Sequence, residues 1–459
     1  MKRQQGSVLE ALLWCLALLS VVVIGLLHTA RLDLMVQKNY GDRIQAHYLA
    51  IAGIEKAKAL LYADARERSR SSRHHSGALY DDAGQFRDVP FGRGQFRVFR
   101  RSREDEGGGI VYGVSDEESR LNVNVASPGE LNRIEFMTPD VTAAILDWRD
   151  GDNQVTPGGA EADYYMALQP PSLPRNGPVQ TIRELLMVRG ISSDLLLGDD
   201  QHQNGGLDTA ADDLDDFAAG SRNLGWANLL TVDSSVKDLD AAGEDRVNVT
   251  SADERALTGV RGITSEIAKA IIAYRGQNRF NTLADLLDVT PARNENQPGG
   301  NTSNARGNRS NTSQSRQDSN SFGGDSSGNK VISTTLLMDI ADQLTAQSDS
   351  DLAGVVNVNT ASLEVLSCLP GLTRETAQAI INFRKSDGYL PNIAWVLKVP
   401  GITPDVFKQL APRISVRSET FRILCEGKVN STGARQRIQE IVRVGLTSVK
   451  TLSHREDDL

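Results

Sequence analysis

Aromatic residues make up only 5% of this 459-residue chain, cysteines number three, and Lys and Arg (50) fall short of Asp and Glu (59). Each shortage excludes something. The odd cysteine count includes Cys15 inside an apolar run, so Cys368 and Cys425 are the one pair that could join. No spacing pattern supports a disulfide framework, and two buried thiols are the favoured reading. Neither CxxC nor HExxH occurs and the six histidines lack metal-ligand spacing, which argues against a zinc or thiol-redox enzyme. A formal charge of −9 and a pI near 5.4 argue against a general nucleic-acid binder, whose phosphate contacts need a surplus of Lys and Arg. With 39% hydrophobic residues, a multi-span membrane protein is excluded. The length predicts two or three domains at roughly 100–200 residues each.

What is present begins with one apolar run, Val8 to Leu27, broken only by Glu10 and Ser20. At a rise of about 1.5 Å per residue it spans the hydrocarbon core of a bilayer. Lys2 and Arg3 precede it, so the short end is expected inside and the bulk outside. Gly25 to Ala30 is a mediocre small-x-small cleavage site, whereas a basic leader ends on Gly6 directly before the run. This leader resembles those of type IV prepilins. The resemblance implies cleavage by a prepilin peptidase between Gly6 and Ser7 and methylation of the new amino terminus. Pilins usually carry glutamate at the fifth mature position; here that position is Ala11, and the acid, Glu10, comes one residue earlier. A helix turns by about 100° per residue, so the usual contact of that acid with a neighbouring subunit does not automatically pass to Glu10. Lack of the usual glutamate is similar to the K-type minor pseudopilins of type II secretion. A plain signal anchor with a stray acid stands as the alternative.

Downstream, Ile44, Leu49, Ile51, Ile54, Ala57, Leu60 and Leu61 continue an amphipathic helix to about Ala65, before a basic, Ser-rich loop over 66–76. Residues 94–100 and 109–114 read as a hairpin, and 419–427 and 437–444 as two further strands of the same sheet. Between them lies a repeat: Arg120-Leu-Asn-Val-Asn-Val-Ala-Ser, Arg246-Val-Asn-Val-Thr-Ser-Ala and Val356-Asn-Val-Asn-Thr-Ala-Ser each open a helical unit with glycine turns at Gly190, Gly262, Gly371 or Gly401. Glycine supplies the turn, and the Ser or Thr two places later caps the next helix. These are helix-hairpin-helix-like modules. Such hairpins hold phosphate in DNA enzymes, but no hairpin here carries a Lys or Arg cluster, and protein packing is favoured over DNA binding.

The first unit runs Ile145-Leu-Asp-Trp-Arg-Asp-Gly-Asp152, Gly159-Ala-Glu-Ala-Asp-Tyr-Tyr165, Pro170-Pro171 and Ile182-Arg-Glu-Leu-Leu186. This order closely resembles the K-type pseudopilins. Asp147, Asp150, Asp152, Glu161 and Asp163 gather hard oxygen ligands on a Gly-rich loop, a composition suited to a structural Ca²⁺, with a solvated acidic loop as the alternative. A second acidic loop, Asp199, Asp200, Asp208, Asp212, Asp213, Asp215 and Asp216, has no ordering of ligands.

The organisation expected is a leader (1–6), a transmembrane helix (7–30), a pilin-like helix with first strands (31–119), and a helical insert of two units (120–293). An Asn/Ser/Gly linker (294–329), a third unit (330–418), closing strands (419–449) and a polar tail (450–459) follow. The fold class is α+β: a long helix on an antiparallel sheet, with helical repeats inserted. No paired acid and base suggests hydrolysis. The resemblance implies a non-catalytic minor pseudopilin at the pseudopilus tip, anchored once in the inner membrane with a cytoplasmic amino terminus. Its partners would be other minor pseudopilins and the inner-membrane secretion machinery; the alternative is a membrane-tethered DNA-binding or uptake protein.

Overall fold

No proline interrupts residues 6–71, and they form one helix, α1 (Gly6–Ser71), of 66 residues, about 100 Å long. The computed structural model describes residues 6–71, 77–103, 106, 109–200, 225–291 and 330–456. Helix α1 runs past Ala65, where the sequence suggested a loop. The Arg68 Nε–Asp64 pair at 2.9 Å ties its last turn, and Arg68 and Arg70 there suit the negative end of the helix dipole.

The chain divides into two compact units, 1–70 with 76–234 and 418–459, and 71–75 with 235–417. In the first, α1 lies on a sheet of β1 (Val89–Phe91), β2 (Gly94–Arg101), β3 (Ile110–Val111), β4 (Ser115–Asp116), β5 (Thr420–Val429), β6 (Arg435–Val444) and β7 (Val449–Arg455). The order is β1-β2-β5-β6-β7, with β3 on β2 and β4 on β5. All pairs are antiparallel. Residues from both ends of the chain thus share one sheet, Val98 facing Cys425 and Cys425 facing Ile438. Residues 449–455, expected within a strand end and a polar tail, form the edge strand β7.

The helix sits unusually close to this sheet because small residues meet. A Cβ on Gly427 would stand 2.1 Å from the Ala46 carbonyl oxygen, and one on Gly53 would stand 2.4 Å from Cys425 Sγ. Ala50, Ile54, Ala57 and Leu61 of α1 then bury against Phe96, Val98, Ile423, Ile438 and Val442. Cys368 and Cys425 are both buried, and no disulfide joins them.

The repeat resolves into three copies of one design: short strand, short helix, long helix, 3₁₀ turn, short helix, and a second strand parallel to the first. The long helices are Pro139–Arg149, Ser265–Gln277 and Arg374–Ser386. The closing strands pair Leu121 with Leu230, Val247 with Leu344, and Val356 with Ile414. The first copy belongs to the same compact unit as the sheet, and the other two share the second unit. A division between 234 and 235 therefore falls inside the segment 120–293 that the sequence grouped together.

The Asn/Ser/Gly segment 294–329 lies outside the described residues, but its flanks fix its place. The Val331 N–H donates to the Val289 carbonyl at 3.0 Å, and Ser333 caps the helix Thr334–Ile340, just as Thr403 caps Pro404–Leu410 in the third copy. The segment therefore interrupts the second hairpin of the second copy, where the third copy has Val399 to Ile402; it does not separate two copies.

Candidate functional site

Asp147 lies in the last turn of the helix Pro139–Arg149, which Thr138 caps through the Val141 N–H. Asp150 is the residue at which that helix stops, and Glu161 opens the helix Ala162–Met166. The chain between them returns so closely that a Cβ on Gly159 would meet Asp147 Oδ2 at 2.0 Å. One carboxylate oxygen each from Asp147, Asp150 and Glu161 lies within 4.8 Å of the others.

The three carboxylates differ in how far hydrogen bonds satisfy them. The Asp147 carboxylate accepts the Thr156 N–H at 3.1 and 3.2 Å. Glu161 is 2% exposed, and neither of its oxygens nor Asp150 Oδ1 makes a well-aligned hydrogen bond, though the Ala162 N–H lies close enough to Glu161, and the Asp152 N–H to Asp150, to offset part of their burial. Burial, then the charges of Asp147, Asp150 and Asp152, push the Glu161 carboxyl above its ordinary range. Burial likewise raises Asp150, with Asp152 and Asp147 adding to it. An orphaned buried carboxylate is costly, and three hard oxygen donors at this separation fit a cation such as Ca²⁺. Of the other two acids noted in the sequence, Asp152 is exposed and accepts the Gln154 N–H at 2.7 Å, while Asp163 is exposed and outside the trio. Of the second acidic loop, only Asp199 and Asp200 are described.

The aromatic residues of the same stretch hold the loop. Trp148 and Tyr165 are buried edge to face at 5.2 Å, Trp148 Nε1 donates to Glu184 at 2.8 Å, and the Tyr165 hydroxyl accepts the Arg189 N–H at 3.2 Å. Arg189 also donates to the Gly159 carbonyl at 2.8 Å, joining the acidic loop to the hairpin at Gly190.

The four hairpin glycines all adopt positive φ: Gly190 at 84°, Gly262 at 106°, Gly371 at 77° and Gly401 at 87°. Their Cα atoms face protein. Cβ atoms there would approach Val141, Ile340, Val406 and Thr376 respectively, at 2.9 to 3.4 Å. The hydroxyls of Ser192, Thr264, Thr373 and Thr403 accept the N–H three residues on. Each hairpin therefore caps its own helix and packs its turn against a helix of the same copy.

Two features escaped the sequence reading. At the first hairpin of the first copy, where the others have Gly262 and Gly371, stands Phe136 with φ of 63° and 71% exposure. Second, Asp116, Glu117 and Glu118 are buried beside β5. Glu117 pairs with Arg120 at 2.5 Å and Arg422 at 2.7 Å. At the amino terminus, α1 begins at Gly6 and Glu10 is exposed on it. The exposed, apolar first part of α1 is long and apolar enough to cross a membrane.

Comparison with known proteins follows the same division. Residues 122–197 match the family described as type II secretion system protein K, and residues 243–291 and 353–415 match the helix-hairpin-helix motif. Type II secretion system protein K of Pectobacterium carotovorum is 27% identical over 215 residues, covering 42% of this chain. That of Klebsiella pneumoniae is 29% identical over 205 residues, also 42% of this chain. The matches span 60% of the length of each of these relatives. ComE operon protein 1 of Bacillus subtilis is 37% identical over 71 residues, 16% of this chain and 35% of that protein. Among solved structures, a chain of the GspK-GspI-GspJ complex from enterotoxigenic Escherichia coli aligns over 92% of this chain and 99% of that one, at 12% identity and a TM-score of 0.44.

Proposed function

We propose that this chain, a member of the type II secretion protein K family, is a non-catalytic minor pseudopilin that initiates or caps the pseudopilus at its tip. The observation that carries this reading is the protein K match at 122–197 on a body whose long apolar-ended helix lies against an antiparallel sheet. A bulky set of inserted copies suits a terminal position, where no further subunit must stack above it.

In this reading the apolar part of α1 anchors the chain once in the inner membrane with its amino terminus cytoplasmic. Prepilin peptidase cuts between Gly6 and Ser7, and Glu10 serves a subunit contact. The partners are other minor pseudopilins and the inner-membrane secretion machinery. A structural Ca²⁺ held by Asp147, Asp150 and Glu161 stiffens the first copy; the two unbonded buried oxygens of Glu161 support it. The hairpins serve protein packing rather than DNA, because their caps are filled by Ser and Thr hydroxyls and their glycines face neighbouring helices.

The test is a deletion in a host with a type II secretion system, together with mass spectrometry of the mature protein. Lost secretion that the intact gene restores, and a mature terminus at methylated Ser7, are the expected results. Unchanged secretion, with sequence-independent and salt-dependent DNA binding by the detergent-solubilised chain, would replace this reading with a membrane-anchored DNA-binding role.

A further inference from the structure

One pocket in the first compact unit is walled by four arginines that come from three separate parts of the chain. Arg100 and Arg101 end β2, Arg120 follows β4, and Arg422 projects from β5. Their side chains are only 7%, 17%, 11% and 15% exposed. Burying four guanidinium groups around one space is unfavourable unless something negative faces them.

The carboxylates that hold these arginines stand mostly outside the pocket wall. Arg100 is gripped from one side by Glu106 at 2.7 and 2.9 Å and by the Tyr80 carbonyl at 2.9 Å. Arg120 and Arg422 share the single carboxylate of Glu117, with Asp116 near Arg120 and Asp233 near Arg422. None of these acids lines the pocket; the one acid that does is Asp200, 3.6 Å from Arg101. Backing contacts of this kind fix the planar groups in place. Burial first, and the neighbouring charge of Arg422 second, bring Arg120 down to about 10 against the opposing pull of Glu117 and Asp116.

The rest of the wall is mixed: the apolar residues Phe99, Leu424, Leu197 and Ala227, with the polar Ser115, Asn228 and Gln439. Glu106 and Glu117 occupy one edge of the Arg100 and Arg422 guanidiniums, the remaining N–H groups can donate to a further carboxylate, and the apolar residues of the wall suit a hydrocarbon body that inorganic anions lack. We infer that this pocket is a binding site for a carboxylate attached to an apolar group, such as an apolar residue at the carboxyl terminus of a polypeptide.

The experiment titrates the full-length, detergent-solubilised protein by calorimetry with N-acetyl-leucine, its neutral amide and inorganic phosphate. N-acetyl-leucine should bind saturably and at least about tenfold tighter than the amide, a difference of about 1.4 kcal/mol. Removal of Arg422 could unfold the unit by stranding Glu117, so the second variant adds charge instead. Gln439→Glu places a carboxylate in the pocket wall and should weaken N-acetyl-leucine by about tenfold or more while the thermal midpoint stays near that of the parent. Equal binding of acid and amide, tighter binding of phosphate than of N-acetyl-leucine, no saturable binding at all, or undiminished binding in a folded Gln439→Glu protein overturns the inference.

Discussion

The Arg384 guanidinium donates to the Ala361 carbonyl, 23 residues earlier in the chain, at 2.8 Å, and to the Val358 carbonyl, 26 residues earlier, at 3.0 Å. The same two spacings recur in the other copies. Arg149 reaches Val123 and Ala126, and Arg275 reaches Val249 and Ala252. One arginine at the end of each long helix thus ties down the turn that follows each opening strand. Arg384 is buried, so Arg384→Ala leaves two buried carbonyls without a donor and should destabilise the second compact unit by about 2–4 kcal/mol. Arg275 is less buried, and Arg275→Ala should do less damage. Urea unfolding of the two variants side by side checks the ranking.

Phe136 occupies a position that the sister hairpins give to glycine. The Met137 N–H closes on the Ile134 carbonyl at 3.1 Å as Ile263 does on Val260 at 3.1 Å, so the backbone turn is the same. A side chain in the left-handed region is strained by roughly 1–2 kcal/mol, and this one, being exposed, recovers little by burial. Phe136→Gly should therefore leave stability unchanged or raise it by up to about 1 kcal/mol, the strain relief being partly offset by the greater chain entropy of glycine. A thermal midpoint lowered by several degrees would contradict this.

Phe136 also shows where the sequence was opaque. The repeat was legible from its opening Asn-Val segments and from Gly262, Gly371 and Gly401. The first hairpin of the first copy, however, spells Ile134-Glu-Phe-Met-Thr138 and carries no glycine to mark it. Similarly, the insertion between Val289 and Val331 hid the second hairpin of the second copy, because pairing across a long polar segment leaves no local signal. The acidic loop was readable as a composition, yet only folding selects Asp147, Asp150 and Glu161 from five candidates. The constant interval of 26 residues from Val123, Val249 and Val358 to the three arginines was a usable clue, visible once the copies are aligned.

For the acidic trio the prediction concerns both charge and cation. Burial and neighbouring carboxylates raise Glu161 and Asp150 above their ordinary values. Without a cation, stability from these groups is therefore full below the ordinary carboxylate range and is lost as pH rises through their raised values. Ca²⁺ should reverse the trend, since it binds the ionised form. Glu161→Gln should raise the thermal midpoint of the chelator-treated protein at neutral pH and weaken Ca²⁺ by about tenfold or more. Calorimetry of both proteins, with chelator and with Ca²⁺, reads both effects.

The last prediction concerns Glu118, which has no exposed surface. Both of its oxygens accept the Thr420 N–H at 3.1 Å, and its own N–H donates to Asp116 Oδ1 at 2.9 Å. Asp116 in turn accepts from Ser418 Oγ at 2.6 Å. Burial first, and the charge of Asp116 second, push the Glu118 carboxyl well above its ordinary range, so it keeps a proton that Asp116 can accept. The adjacent Glu117 behaves oppositely: Arg120 and Arg422 outweigh its burial and hold it low. A raised folded-state value means that the Glu118 contribution is complete below the ordinary glutamate range and falls away as pH climbs through the raised value. Glu118→Gln keeps a neutral donor toward Asp116 and removes the titration. Between about pH 5 and about pH 8, the unfolding midpoint of the parent should therefore decline relative to that of Glu118→Gln. Parallel curves across that interval would mean that Glu118 is already ionised in the folded chain.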